Sequence, residues 1–213
     1  VANAGQGITA GTSTYSSKSS FGRRKALSQL QGMGINSGSY SWNWANPEYT
    51  SYYTDEAGNL HIVAWKDQTL YDATCNSNLN VTNVTTVKLP LPLWGGFYAA
   101  PDGNFYVAAG QKNLNEDNSI TAVRILKYSR AWKLLGATDI GGGYTNMFEG
   151  IYIPFDAASL RMTQIGSTLI VHTGRKMYWM EGIHHQSNIT FVINTQDMTL
   201  INSDMPYCSH SFN

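Results

Sequence analysis

The sequence predicts an all-β fold, and within that class a β-propeller of about three four-stranded antiparallel blades belonging to a larger or assembled propeller. Three observations predict it. Charged residues make up only 13% of the chain while Tyr (13), Trp (6) and Gly (20) are abundant, which suits strands and tight turns better than solvated helices. A turn-then-strand segment recurs: Asp55-Glu-Ala-Gly58-Asn-Leu-His-Ile-Val63 matches Ala100-Pro-Asp-Gly103-Asn-Phe-Tyr-Val107 and, more loosely, Gln164-Ile-Gly166-Ser-Thr-Leu-Ile-Val171. Each copy is followed by two more strand-like runs, so one supersecondary unit of blade size is repeated at spacings of about 45 and then about 63 residues.

Taken in order, residues 1–38 are rich in Gly, Ser and Thr, with one short helical possibility at Lys25-Ala-Leu-Ser-Gln-Leu30. So few large apolar groups cannot offset the entropy of ordering the segment, which predicts a lead-in or a strap laid over the body. From 39 to 213 the chain reads as blades, approximately 40–93, 94–145 and 146–205, with 206–213 as the start of a further strand. In the first unit the strands are Leu60–Val63, Thr69–Cys75 and Val84–Leu89. In the second they are Phe105–Val107, Ile120–Tyr128 and Trp132–Leu135, and in the third Leu169–Val171, Asn188–Ile193 and Met198–Ile201. In each unit a Gly at the position that tolerates positive φ feeds an apolar strand. Three blades are fewer than a closed propeller uses, which predicts a fragment of a longer protein or a second chain or oligomer completing the ring. An open array would leave sheet faces uncovered.

Fourteen Lys and Arg balance fourteen Asp and Glu, and the one basic triplet, Arg23-Arg-Lys25, reads as a solvated turn. Nucleic-acid binding by phosphate neutralisation and attachment to an anionic membrane surface are therefore not expected, and no apolar run is long enough to span a bilayer. The chain starts at Val1 without a basic-then-apolar leader, as a mature or trimmed secreted chain would. Cys75 and Cys208 are far apart; paired, they would close a long loop worth about 3–5 kcal/mol, and unpaired they are two small buried hydrophobes. The sequons at Asn80, Asn83 and Asn188 read as a product of an Asn- and Thr-rich composition.

The third unit carries most of the chemistry. Phe155-Asp-Ala-Ala-Ser-Leu-Arg-Met162, Val171-His-Thr-Gly-Arg-Lys-Met-Tyr178, His185-Gln-Ser-Asn188 and Ser209-His-Ser-Phe-Asn213 together resemble a group of secreted bacterial β-propeller-like repeat proteins of unassigned activity. The resemblance is strongest over residues 95–213. It implies a propeller body and an extracellular location, and it implies continuation of the chain past Asn213.

The residues themselves nominate a site. Arg161, His172, Arg175, Tyr178, His185, Asn188 and His210 offer imidazoles that move protons near neutral pH, guanidinium forks for carboxylates, and a phenol. The expected role is glycan or small-ligand binding. The alternative is a polysaccharide-active enzyme, of lyase or hydrolase type, in which His172, Arg175 and Tyr178 are catalytic, with Arg neutralising a uronate while His or Tyr moves the proton. A purely structural or assembly module is the third reading. No cofactor is predicted. A divalent metal would draw on His172, His184, His185 and His210 with Gln186 or Asp156, although adjacent strand histidines point to opposite faces unless a bulge intervenes.

Four other patterns have simpler readings. Asn113-Leu-Asn-Glu-Asp-Asn118 lacks the Gly and the terminal acid of a calcium loop and reads as a long hairpin turn. Gly141-Gly-Gly-Tyr144 reads as a flexible turn between blades. Asp204, Ser209 and His210 have no nucleophile elbow to make a triad. Tyr40, Trp42, Trp44, Tyr49, Tyr52 and Tyr53 form an alternating aromatic run, which predicts packing between blades ahead of an exposed sugar platform.

Overall fold

The computed structural model describes residues 50–143, 150–156 and 158–204, and every regular element among them is a strand. The first sheet is an antiparallel meander of β1 (Thr50–Thr54), β2 (Leu60–Lys66), β3 (Thr69–Cys75) and β4 (Val81–Lys88). The second repeats it with β5 (Leu93–Ala99), β6 (Asn104–Gly110), β7 (Thr121–Ser129) and β8 (Leu134–Gly141). After the short β9 (Ile151–Pro154) the third follows as β10 (Arg161–Ile165), β11 (Thr168–Met180), β12 (Ile183–Asn194) and β13 (Leu200–Asp204). β9 pairs with β11 beyond the end of β10, through Arg175↔Pro154 and Lys176↔Ile153.

The three sheets share their turns as well as their strand order. Gly58 and Gly103, which lead into β2 and β6, both take left-handed φ, at 83° and 79°. At the hairpin between third and fourth strands each sheet places a non-glycine residue in that same region: Leu79 at 58°, Trp132 at 59° and Met198 at 59°. A side chain there costs about 1–2 kcal/mol, so the recurrence marks one backbone design used three times. The sequence reading placed Trp132 and Met198 at the start of strands. They belong to the turns, where the chain needs the reversal more than it needs an apolar strand residue.

Strand alternation then builds two cores. His61, Val63 and Trp65 share one face of β2, and Val63 and Trp65 meet Trp94, Phe105, Val107 and Leu126 of the second sheet. The other face of the second sheet, with Tyr106, Ala108, Val123 and Ile125, meets Leu169, Val171, Ile189, Phe191 and Ile193 of the third. Phe155 locks this second contact. It is fully buried, and a Cβ built on Gly95 or on Gly110 would stand 2.6 or 2.8 Å from its ring. The two glycines thus open a slot in the second sheet for a side chain from the segment after β9.

The hairpin tips tie each sheet to the one before. Trp132 Nε1 of the second sheet donates to Asp72 Oδ2 of the first at 2.8 Å. The Met198 carbonyl of the third accepts from Thr138 Oγ1 of the second at 2.6 Å. Leu79, at the same place in the first sheet, is 54% exposed.

Gly141 to Gly143 are bonded, contrary to a flexible turn: Gly142 N donates to Ile120 O at 2.7 Å and Gly143 N to Asn118 O at 3.2 Å. A Cβ on Gly142 would lie 2.2 Å from Asn113 Nδ2, so the loop 111–120 closes down onto the glycine backbone. The lead-in 1–38, Tyr40, Trp42, Trp44, Tyr49, Tyr144 and the segment 206–213, with Cys208, Ser209 and His210, lie outside the described residues. Cys75 is buried in the first sheet, and burial pushes its thiol pKa up.

Candidate functional site

The alternation that sends Val63 and Trp65 into the core leaves His61 at the end of the same face, next to the β1–β2 turn. Register places Tyr53 beside it on β1, and Asp72 opposite Val63 on β3. Tyr53 and His61, with Asp55 and Arg130, border a cleft of about 630 Å³ between the first and second sheets, and buried Asp72 bonds both rings. Thr54, Glu56, Ala57, Pro101 and Gly103 complete its wall.

Asp72 is the hub, only 4% exposed. Its Oδ1 lies 2.7 Å from His61 Nδ1, and its Oδ2 accepts from Tyr53 Oη at 2.8 Å and from Trp132 Nε1 at 2.8 Å. A carboxylate can only accept, so the His61 proton sits on Nδ1 and Nε2 is the ring atom left for the cleft. Nε2 stands 3.4 Å from Asp55 Oδ2. The His61 ring stacks on Tyr53, with centroids 4.3 Å apart and planes at 20°. Burial, then the bond to Asp72, drives the Tyr53 pKa far up, so the phenol keeps its proton and remains a donor. Asp55 is held below the usual carboxylate range by N–H donors from the Asn59 side chain and main chain. Arg130 is fixed by Gly103 O at 3.1 Å and Ala100 O at 3.0 Å, and its guanidinium lies over the rings of Phe105 (4.6 Å) and Tyr53 (5.5 Å). The cleft therefore offers a stacked aromatic wall, carboxylate acceptors, an oriented imidazole and a cation in fixed positions.

The residues nominated from the sequence are distributed differently. His172, at Arg161↔His172 and His172↔Thr190, lies across from Arg161 and has Nδ1 2.8 Å from Thr190 Oγ1. Asn188, paired with Gly174, is the next position along that face. Arg175 is on the opposite face and fully buried. Tyr178 is six residues from His172, about 20 Å along a strand, and its hydroxyl takes a bond from Asn113 Nδ2 at 2.9 Å. His185 sits at a bulge, where Lys176↔Gln186 is followed by Trp179↔His184, so two residues of β11 face one of β12. The structure brings Arg161, His172 and Asn188 together and does not bring Arg175, Tyr178 or His185 to them.

Among the described residues no three His, Cys, Asp or Glu side chains converge as a metal site. His184 turns its Nδ1 to Met177 O at 2.8 Å. Asn113 is buried, and its amide oxygen accepts from Asp117 N at 2.9 Å, closing the 113–118 loop on itself.

The cleft was missed because its parts come from two sheets, Tyr53, His61 and Asp72 from the first and Arg130 from the second, with 60 residues separating Asp72 from Trp132. The available signal was His61, a polar residue at an inward position of a repeated strand whose second copy carries Tyr106. No family model matches the chain, and no curated protein matches it.

Proposed function

We propose that the protein is an extracellular β-propeller module that binds a glycan or similar small polar ligand in the cleft between its first and second sheets. The observation that carries this reading is the cleft itself, with its oriented imidazole, its Tyr53–His61 stack and the Asp55 carboxylate. Such a mixture of ring faces and fixed acceptors suits the alternating C–H and hydroxyl surface of a sugar. The three successive four-stranded sheets support the propeller part of the reading. The uncovered side of the third sheet supports completion of the ring by a second chain, since Ile165 and Ile201 are exposed there. Calorimetric titration of a panel of neutral and acidic oligosaccharides tests the ligand class. His61→Ala is expected to weaken the best ligand at least tenfold; wild-type affinity in that variant removes the cleft from consideration.

One observation favours an enzyme as the second reading. Asp72 fixes the tautomer of His61, as an orienting carboxylate does for a catalytic imidazole. Asp55 Oδ2 stands 3.4 Å from Nε2, the atom a general base would need free, which weighs toward binding. Turnover of a uronate polymer that disappears in His61→Ala would reverse that order.

A further inference from the structure

A second built feature lies at the far end of the β11–β12 hairpin, away from the cleft. Both strands run past the rest of their sheet and close through Glu181 and Gly182, at φ 52° and 90°. Trp179 stands opposite His184 near this end and is 60% exposed. An exposed indole at a hairpin tip offers a large amphipathic contact face.

The indole is held in place by its surroundings. Its backbone N–H donates to Glu116 Oε1 at 2.7 Å, from a loop 63 residues away. Glu116 has a left-handed φ of 54°, a strained setting for a long side chain. The loop carrying it is anchored by buried Asn113, which bonds Asp117 O, Tyr178 Oη and, through its main chain, Tyr152 O. His184 stacks on Tyr152 at 3.7 Å with planes 9° apart, and meets the Trp179 ring edge to face at 5.2 Å. Three elements thus converge to present one aromatic face.

The polar groups beside that face are acceptors. His184 Nδ1 lies 2.8 Å from the Met177 carbonyl, which can only accept, so Nδ1 carries a proton and Nε2 is the ring atom left for a ligand. Glu116, 3.7 Å from His184, adds a carboxylate. An apolar ring face flanked by acceptors matches a ligand with an apolar C–H face and outward hydroxyl donors. A carboxylate-bearing sugar would bring like charge against Glu116.

We propose that Trp179, His184 and Glu116 form a second, independent subsite for an uncharged sugar ring, stacked on the Trp179 indole with its hydroxyls donating to Glu116 and His184. It differs from the cleft in setting its aromatic face beside the Glu116 carboxylate where the cleft has the Arg130 guanidinium, and so in rejecting acidic sugars.

The test is titration of the full chain with cellotriose and with trigalacturonate, followed by saturation-transfer NMR and by calorimetry. Binding of cellotriose that drops at least tenfold in Trp179→Ala, is partly restored in Trp179→Phe and is unchanged in His61→Ala supports the subsite. Because Trp179 is mostly exposed, circular dichroism and melting temperature are expected to match the wild type. Glu116→Gln, which keeps an oxygen for the Trp179 N–H, is expected to weaken cellotriose several-fold. Wild-type affinity in Trp179→Ala, preference for trigalacturonate, or binding of tetramethylammonium without cellotriose would each overturn the proposal. Loss of binding in His61→Ala alone would leave only the cleft.

Discussion

At the scale of single residues, Asp72 combines two duties. It accepts from His61, Tyr53 and Trp132 while nearly enclosed, so it both orients the cleft and joins two sheets. Asp72→Asn keeps the shape but places an N–H₂ where one of those donors points. Leaving buried donors unmatched costs about 2–4 kcal/mol, and urea denaturation is expected to show a fall of that size with an unchanged m-value. A loss under 1 kcal/mol would mean that the network is peripheral. Asp55 gives a pH prediction. Its folded pKa lies below the ordinary value of 3.8, so the folded state holds fewer protons there. The stabilisation is fully present above that ordinary value and is lost as pH falls through the lower folded pKa. In an NMR titration the Asn59 amide is expected to shift with a midpoint below 3.8. A midpoint above it would contradict the bonds drawn from Asn59.

At the scale of elements, the left-handed hairpin residue separates backbone need from side-chain use. Leu79 bears the conformational cost with its side chain exposed, so Leu79→Asn is expected to raise stability by up to about 1 kcal/mol. Trp132 bears the same cost but packs on Phe97, Phe105 and Tyr128 and bonds Asp72. Trp132→Asn is expected to lower stability by about 3 kcal/mol or more, as large aromatic truncations do; paired denaturation curves check both signs. The same contrast explains what could be read beforehand. The cores of β2, β6, β7, β11 and β12 were legible because Val, Ile, Leu and Phe recur there. The first strands β1 and β10 were not, since Thr50–Thr54 and Arg161–Ile165 are half exposed and carry too little apolar pattern. Turn strain at Leu79, Trp132 and Met198 leaves no common residue type to read.

At the scale of the whole molecule, the repeat of four-stranded units was legible from Gly58, Gly103 and Gly166, because a turn that needs positive φ restricts residue choice. The cleft was not legible, because Tyr53, His61 and Asp72 meet only once the strands of the first sheet pair, and Arg130 joins them only when the second sheet stacks on it. The same stacking leaves Ile165, Ile170, Val192 and Ile201 on the third sheet without a facing strand among the described residues. Native mass spectrometry is expected to give a multiple of 23.5 kDa that collapses to the single-chain mass in Ile170→Lys. A wild-type mass of one chain at micromolar concentration would rule out self-association through that face. The hairpin tips add a rule of direction. Trp132 and Met198 each reach backward, never forward, so the row of sheets has a giving end and a receiving end, like links cast with one hook apiece. Two such rows cannot mate through a twofold axis without wasting both hooks. Continued nose to tail, each junction would offer a hairpin tip a sheet to reach, whether the row closed as a ring or ran on as a filament.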